Sequence, residues 1–483
     1  MAAPKSDAAP VIAVIGAGFS GSLLSLQLLR RCPAPVRVAL IERNLQFGRG
    51  QAYATANPSH LLNVPAGRMS AFRDRPHDFL NWLQAQPAET LDGVEASEGS
   101  FAPRSLFGAY IRHLLNEELK RDDLGDRFEL IRGDVQSIDQ TGPRTTLDLG
   151  RNRVLQADIA VLAVGNFPPE PVPIADMGFY DSPLYRADPW SPDSYTDLDP
   201  TAPVLIIGTG LTMVDAVISL IDQGHTGTIH AISRRGLVPR RHLAGPVPTA
   251  AAPGWSLPSR VAALTRLLRA DADKAVAEGR SWQPVMDGLR PFTQEIWQAM
   301  PQPEQSRFLR HLRPWWDVHR HRIAPAVADR TDAARAGFQL CIQPGRIRSM
   351  EVSGGVVAVR FRPRGGEALE TIRVARVINC SGPCCDYARI AHPLVRCLME
   401  NGLVRPDALS LGLDVSTTCA LLDRDGAISR RLFAVGPVTK GAFWEMTAVP
   451  DLRRQCEDLA AHLAAVIQPK ASSSGASGTI AQR

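Results

Sequence analysis

The chain has 483 residues, of which 45% are apolar and 21% charged, a composition that fits a folded globular protein and excludes wholesale disorder. At about 150 residues per domain it predicts roughly three structural units, with core enough to dispense with disulfides or a structural metal. Fifty-four Lys and Arg against 49 Asp and Glu leave +5, too weak a balance for a dedicated nucleic-acid binder.

Residues 1–10 read as a flexible arm. The apolar run Val11–Ile15 is too short and too quickly glycine-rich for a signal peptide, and no run approaches the ~20 residues that span a bilayer, so a cytoplasmic location without membrane contact is expected. Val11–Ile15 leads into Gly16-Ala17-Gly18-Phe19-Ser20-Gly21 and a helix to about Arg31; a second strand from Val36 to Ile41 ends on Glu42. Short alternating segments near 128–131, 135–138, 145–149 and 153–155 precede the unbroken strand 159–164, which stops at Gly165.

The pattern then repeats. Val204–Ile207 meets Gly208-Thr209-Gly210-Leu211-Thr212-Met213 and a helix to about Gln223; the strand Thr228–Ile232 ends on Ser233-Arg234-Arg235. Alternating segments near 338–343, 356–362 and 370–374 lead to Arg376-Val377-Ile378-Asn379 and Gly382. Residues from about 240 to 335 interrupt this copy, Pro-rich at first and then helical, with apolar spacing at Val261, Leu264, Leu267 and Leu268. A strand at 432–435 and a helix at about 449–467 close the fold, and 468–483 read as a disordered tail.

These elements predict an α/β protein with two dinucleotide-binding, Rossmann-like domains, β-meander crossovers and a helical insert. The expected boundaries are 11–200 and 376–467 for a split FAD-binding domain, and 201–375 for an NADP-binding domain.

Gly16-x-Gly18-x-x-Gly21 lies between a strand and a helix, as its mechanism requires. The first glycine makes the turn, the second admits a pyrophosphate and the third lets helix and strand pack closely, with the helix N-terminus behind the phosphates. Glu42 follows Gly21 by 21 residues, placed to accept both ribose hydroxyl protons. In the second copy Met213 replaces the third glycine, and Arg234 and Arg235 stand where the first has its carboxylate. Guanidinium forks suit the 2′-phosphate of NADP. One acidic and one basic site imply two different dinucleotides, FAD and NADPH. Eight cysteines without a Cys-x-x-Cys argue against a zinc ribbon or thioredoxin-type pair, although Cys380 and Cys384 leave a redox pair open. His319 and His321 lack an evident third ligand, so no metal is expected; that segment is read as a cover over the cofactor cleft, with packing of Trp and Arg as its rival.

The motifs Phe47–Tyr53, His60–Ser70, Asp74–Leu83, Pro103–Tyr110, Trp316–Arg322 and Trp444–Arg453 resemble a family of FAD/NAD(P)-binding proteins that includes bacterial L-aspartate N-monooxygenases. The resemblance spans most of 11–467 and extends, more distantly, to ornithine and lysine N-hydroxylases and other class B flavin monooxygenases. It implies that NADPH reduces FAD and that one atom of molecular oxygen passes to the nitrogen of a small amine or amino acid. Candidate cofactor contacts are Gly16, Gly18, Phe19, Ser20, Gly21, Glu42, Arg43, Arg49 and Gly165 for the first site, with Asn63, Met69, Trp444, Glu445 and Thr447 around the flavin. Gly208, Gly210, Arg234 and Arg235 serve the second. Gly436 is followed by Pro437 where many such flavoproteins carry Asp, so backbone near Gly436 must replace that carboxylate. No catalytic acid or base is nominated. A flavin-dependent NAD(P)H reductase without oxygen insertion and a non-catalytic dinucleotide-binding protein are the alternatives.

Overall fold

A computed structural model describes residues 9–32, 35–243 and 252–467. Most of the expected arm, part of the Pro-rich start of the insert and the expected tail lie outside the described residues.

The first sheet has six strands in the order Ala420–Leu422, Ile428–Ala434, Ile159–Leu162, Val11–Ile15, Arg37–Glu42, Phe128–Arg132. All neighbours are parallel except the first pair. Val11–Ile15 is buried at every position, as a central parallel strand covered on both faces must be. Its side chains alternate between two cores. Ile12 and Val14 face the helices Phe19–Arg31, Arg104–Leu119 and Val449–Ile467. Val11, Ala13 and Ile15 face the meander and the helix Pro393–Glu400.

The meander is a separate three-stranded sheet of Ser137–Asp139, Thr145–Asp148 and Val154–Ala157. Phe128–Arg132, expected among the meander strands, instead extends the main sheet beside Arg37–Glu42. A half-buried edge strand alternates just as a meander strand does, so periodicity alone did not separate them.

The second sheet has seven strands in the order Glu370–Val374, Val356–Pro363, Leu340–Ser353, Ile229–Ser233, Val204–Ile207, Arg376–Asn379, Tyr185–Arg186. The 14-residue strand Leu340–Ser353 runs parallel to Ile229–Ser233 as far as Pro344, then pairs antiparallel with Val356–Pro363, so the second meander is continuous with its sheet. Tyr185–Arg186 and Arg376–Asn379 both pair within this sheet. That moves the expected boundaries at 200 and 376: the chain reaches the second sheet before residue 200 and leaves it after Asn379. A two-residue strand offers no period to read, which is why the first crossing was placed late.

Helices of the insert (Val261–Ala277, Gln283–Gly288, Thr293–Ala299, Gln302–Arg307, Arg313–Arg320) surround a core of Val261, Leu264, Ile296, Trp297 and Phe308, whereas the helix Pro325–Ala336 packs into the second domain's core through Val327, Ala328 and Ala334. Trp444 and Leu411 of the closing segment complete that core, so the insert is fastened to the first domain. The two domains are also joined directly. Arg104 makes two hydrogen bonds to Asp215, at 2.8 and 3.1 Å, and His60 meets Ser219 at 2.9 Å.

Candidate functional site: two dinucleotide cradles and the cleft between them

Gly16 has φ +103°, and a Cβ there would sit 2.4 Å from the Ala163 carbonyl oxygen. A Cβ on Gly21 would lie 1.9 Å from the Gly16 carbonyl oxygen, so helix and strand touch through backbone. Gly18 is different: the nearest atom to its Cβ position is Gly50 Cα at 3.5 Å, which leaves room for a ligand. The helix Phe19–Arg31 starts on Gly18 with no side-chain cap and no acidic residue in its first turn. Its first N–H groups therefore point at an open space with a positive helix end behind them.

Glu42 sits at the end of its strand with Oε2 accepting from the Ala17 N–H at 2.9 Å and Oε1 from the Asn44 N–H at 3.0 Å. Ala17 thus orients the carboxylate toward the turn. Arg43 beyond it is exposed.

The loop of the 47–53 motif closes over the turn. The Gly48 N–H donates to the Ala17 carbonyl at 2.8 Å, and a Cβ on Gly50 would come 3.0 Å from Gly18 Cα. Arg49 brings a guanidinium whose buried Nε has no acceptor among the described residues. Burial, with the neighbouring Arg112 adding to it, lowers the Arg49 pKa. Two cations side by side, neither paired with a carboxylate among the described residues, next to an uncapped helix start, form a cradle for an anionic pyrophosphate, and FAD fits these residues.

Ser20 and Gly436 abut: a Cβ on Gly436, whose φ is +86°, would lie 2.8 Å from Ser20 Oγ. The Gly436 N–H is held by Gln455 Oε1 at 2.8 Å, a side chain standing near the place that Pro437 denies to an aspartate. Gly165 has φ +69° and open space around it.

Other nominated residues have different surroundings. The Phe19 ring packs on Tyr53 and Phe107, at centroid distances of 6.3 and 5.6 Å, so only its backbone N–H faces the cradle. Met69 is 2% exposed and belongs to the first core, where its side chain fills packing space rather than a pocket wall. Trp444 stacks on Trp297 at 4.8 Å and sits in the insert's core, with its buried Nε1 lacking an acceptor. Asn63 lines the loop facing the insert, and its carbonyl accepts from His242 Nε2 at 3.0 Å. Thr447 is exposed just ahead of the helix Val449–Ile467.

The second turn repeats the first with one change. Gly208 has φ +109° and its Cβ position falls 2.4 Å from the Cys380 carbonyl oxygen, while nothing lies within 4 Å of one on Gly210. Met213 is 1% exposed and buried in the second domain's core. At the strand end Arg234 is exposed. Arg235 is not available in the same way. Its Nη1 donates to the His311 carbonyl at 2.9 Å and its Nη2 to the Arg310 carbonyl at 3.3 Å, tying the strand to a π-helical turn, Phe308–Leu312, of the insert. Among the described residues the expected pair of phosphate-binding arginines is therefore one exposed guanidinium without a partner and one anchor. The carbonyls that claim Arg235 are 75 and 76 residues away, beyond any local pattern.

Sequence reasoning also read the 319–322 segment incompletely. Arg320 pairs with Glu445, and Arg322 with Asp287. Glu445, with φ +64°, accepts from Trp316 Nε1 at 2.6 Å and from Arg320 Nε at 3.2 Å, with His321 Nε2 at 3.6 Å. Burial works against its charge, but Arg320 and His321 outweigh that and hold the carboxyl below its usual pKa. Only the alternation of Arg and His hinted at a carboxylate partner. Cys380 and Cys384 are both free thiols. Burial, then the Glu170 hydrogen bond, pushes Cys384 up to about 11, and burial raises Cys380 well above its ordinary value. Among the described residues no helix is long and apolar enough to cross a membrane.

Two open glycine turns, one beside a carboxylate and one beside an exposed arginine, define a flavoprotein-type fold with two dinucleotide-binding domains. Residues 13–167 match the profile of a family described as FAD-NAD(P)-binding. An uncharacterised protein of Mycobacterium tuberculosis is 22% identical over 543 aligned positions, covering 95% of this chain and 96% of that protein. The ornithine N-hydroxylase of Kutzneria sp. 744 has the same fold, with a TM-score of 0.63 at 15% identity over 95% of this chain and 99% of that one. The L-lysine 6-monooxygenase of Pseudomonas syringae gives 0.63 at 13% identity over 95% and 100%. The bacillithiol disulfide reductase of Staphylococcus aureus is more distant, with 0.54 at 11% identity over 95% and 99%. At such identities the likeness establishes the fold.

Proposed function

We propose that this protein is an FAD-dependent, NADPH-using monooxygenase that hydroxylates the nitrogen of a small amine or amino acid, with molecular oxygen as co-substrate, in the cytoplasm. The carrying observation is the pair of uncapped glycine turns, of which the first adjoins Glu42 and the second Arg234. Bound FAD supplies the electron relay from NADPH and the activation of oxygen.

This chain's residues hold and shield the reactants. The N–H groups after Gly18 and the Arg49 guanidinium take the pyrophosphate, while Glu42 takes the adenosine ribose. Arg234 takes the 2′-phosphate of NADPH, which favours NADPH over NADH. Nitrogen hydroxylation needs water kept from the reacting centre. The Asn63–Met69 loop and the insert, joined by the Asn63–His242 hydrogen bond, form that cover. The substrate amine must arrive unprotonated to be nucleophilic, so a site that desolvates it lowers its pKa and favours reaction.

The reductase reading keeps both cofactors but needs an electron acceptor other than oxygen. Its dithiol form is disfavoured by the raised pKa of Cys380 and Cys384. The deciding experiment reduces the purified, flavin-loaded protein with NADPH anaerobically, admits oxygen with an amine, and measures hydroxylamine against peroxide. Hydroxylamine formed in step with NADPH consumption supports the proposal. Peroxide alone, with every small amine and amino acid tried, removes it. A colourless protein that binds no flavin removes both enzymatic readings.

A further inference from the structure

The stretches Trp316–Arg322 and Trp444–Arg453 lie far apart in the chain and meet at Glu445. Its carboxylate is 3% exposed, and it accepts from Trp316 Nε1 at 2.6 Å and from Arg320 Nε at 3.2 Å. A φ of +64° is costly for a residue with a Cβ and persists only where the surroundings over-determine it. Two donors and a constrained backbone therefore fix the direction of this carboxylate. Its Oε1 is turned to His321, whose Nε2 lies 3.6 Å away, just beyond a hydrogen bond.

His321 ends the helix Arg313–Arg320, its N–H donating to the Asp317 carbonyl at 2.8 Å. Its side chain is 26% exposed while Glu445 behind it is buried, so the ring stands between the carboxylate and open space. With a proton on Nε2, toward Glu445, the lone pair sits on Nδ1 and points away from the carboxylate. That space lies between the two cradles. Lys440 is close enough to His321 for their charges to interact, and Arg313 and Cys385 are close enough to Lys440. Lys440 follows by four residues Gly436, which abuts Ser20 of the first turn. Cys385 follows by five Cys380, whose carbonyl abuts Gly208 of the second. Burial lowers the His321 pKa; Glu445 and Asp317 work against it, and Arg320 and Lys440 work with it. Arg320 and His321 keep Glu445 ionised. Near neutral pH the pair is a neutral imidazole beside a carboxylate, the state of a general base with its orienting partner.

We infer that His321 is the catalytic base that takes a proton from the substrate's ammonium group, and that Glu445 is the positioning residue that orients it. One N–H bond of R–NH3+ breaks, its proton goes to Nδ1, and the electron pair stays on the nitrogen, free to attack oxygen. Glu445 offsets the charge of the imidazolium so formed, which then returns its proton to water. Without this step the ammonium nitrogen has no lone pair to offer. The role as base rests on the monooxygenase reading; the pairing of His321 with Glu445 does not.

The test compares the full-length, flavin-loaded protein with His321→Ala and Glu445→Gln, on whichever of L-aspartate, L-ornithine and propylamine the unaltered protein hydroxylates fastest. His321→Ala lowers the hydroxylamine rate by about 100-fold or more, while NADPH is still consumed and peroxide is released instead. The loss narrows as pH rises toward the amine's own pKa, and added imidazole restores hydroxylamine at neutral pH. Glu445→Gln moves the acid limb of the hydroxylamine profile to lower pH, because the imidazolium loses its counter-charge. Where Glu445→Gln does not fold, His321→Ala and its rescue decide. Histidine-selective NMR, with His321→Ala identifying the resonance, follows the ring without any substrate. His321 titrates below the ordinary histidine value, and lower still in Glu445→Gln. A loss in His321→Ala that neither pH nor imidazole relieves marks a structural role and overturns the inference, as does an undiminished hydroxylamine rate. A His321 titration that Glu445→Gln leaves unmoved overturns the pairing. No hydroxylamine from any of the three amines at any pH fails the monooxygenase reading, and the base with it, while the NMR titration still decides the pairing.

Discussion

Asp215→Ala tests whether the two dinucleotide domains are held in a fixed relation. Asp215 accepts both Arg104 nitrogens, at 2.8 and 3.1 Å, and the side chains of the pair are 13% and 11% exposed. Removing one member of a buried pair costs about 3–5 kcal/mol, because the other charge is left without a partner. Arg104 keeps two other contacts, Nε to the Leu61 carbonyl at 3.1 Å and a position 5.6 Å above the Trp190 ring. These bring the expected loss to about 2–3 kcal/mol, below the full cost of stranding a buried charge. The double variant Arg104→Met/Asp215→Leu leaves neither charge stranded and recovers most of that loss. The readout is the urea unfolding midpoint of all three variants, with the rate of flavin reduction by NADPH measured on the same samples. Domains that shift by about 1 Å lose up to about 100-fold in a reaction that depends on orientation. A loss below about 1 kcal/mol in Asp215→Ala, with reduction unchanged, places the pair among ordinary surface ion pairs and refutes the argument.

The parts of this site that were legible in the sequence are the local ones. Strand, glycine turn and helix are contiguous, and each glycine's role follows from the backbone approach it permits, so Gly16, Gly18 and Gly21 could be read one by one. Glu42 and Arg234 close the very next strand and share that advantage. What was hidden depends on partners far along the chain. Arg235 looked like Arg234 until the insert's carbonyls were seen to hold it. Glu445 sits 125 residues from Arg320, and its role emerges only when the insert folds against the closing segment. Tyr185–Arg186 became a strand because Arg376–Asn379 was there to pair with it. Met69 and Trp444 lie in motifs that carried a resemblance, and a resemblance does not say whether a residue type is needed for packing or for contact.

Gly18→Val should yield protein that purifies without flavin, because the side chain fills the space that the turn leaves open; a fully flavin-loaded variant would be inconsistent with the first cradle. Gly21→Ala should lose flavin and stability together, its Cβ meeting the Gly16 carbonyl oxygen at 1.9 Å, as flavin content and thermal midpoint would report. Arg234→Ala should weaken NADPH but not NADH by about 1.5–3 kcal/mol, whereas Arg235→Ala should loosen the insert and affect both nucleotides alike. Equal reduction rates of the unaltered protein with NADPH and NADH count against the second cradle. The last expectation concerns acid. Burial, with Arg322 adding to it, lowers the His242 pKa from 6.5 to about 4, although the Asn63 carbonyl bond works the other way. In the unfolded chain this ring takes a proton as pH falls below 6.5, while the folded protein holds it neutral until about 4. Protonation therefore favours unfolding: its contribution to stability is complete above about pH 6.5 and is lost as pH falls toward 4. Linkage puts the loss at about 3 kcal/mol at most. His242→Gln, which keeps a donor for Asn63 and cannot titrate, should flatten that part of the stability profile. Urea midpoints at pH 7 and pH 4.5 decide it, since a midpoint drop as steep in the variant as in the unaltered protein would mean that other groups carry the acid sensitivity.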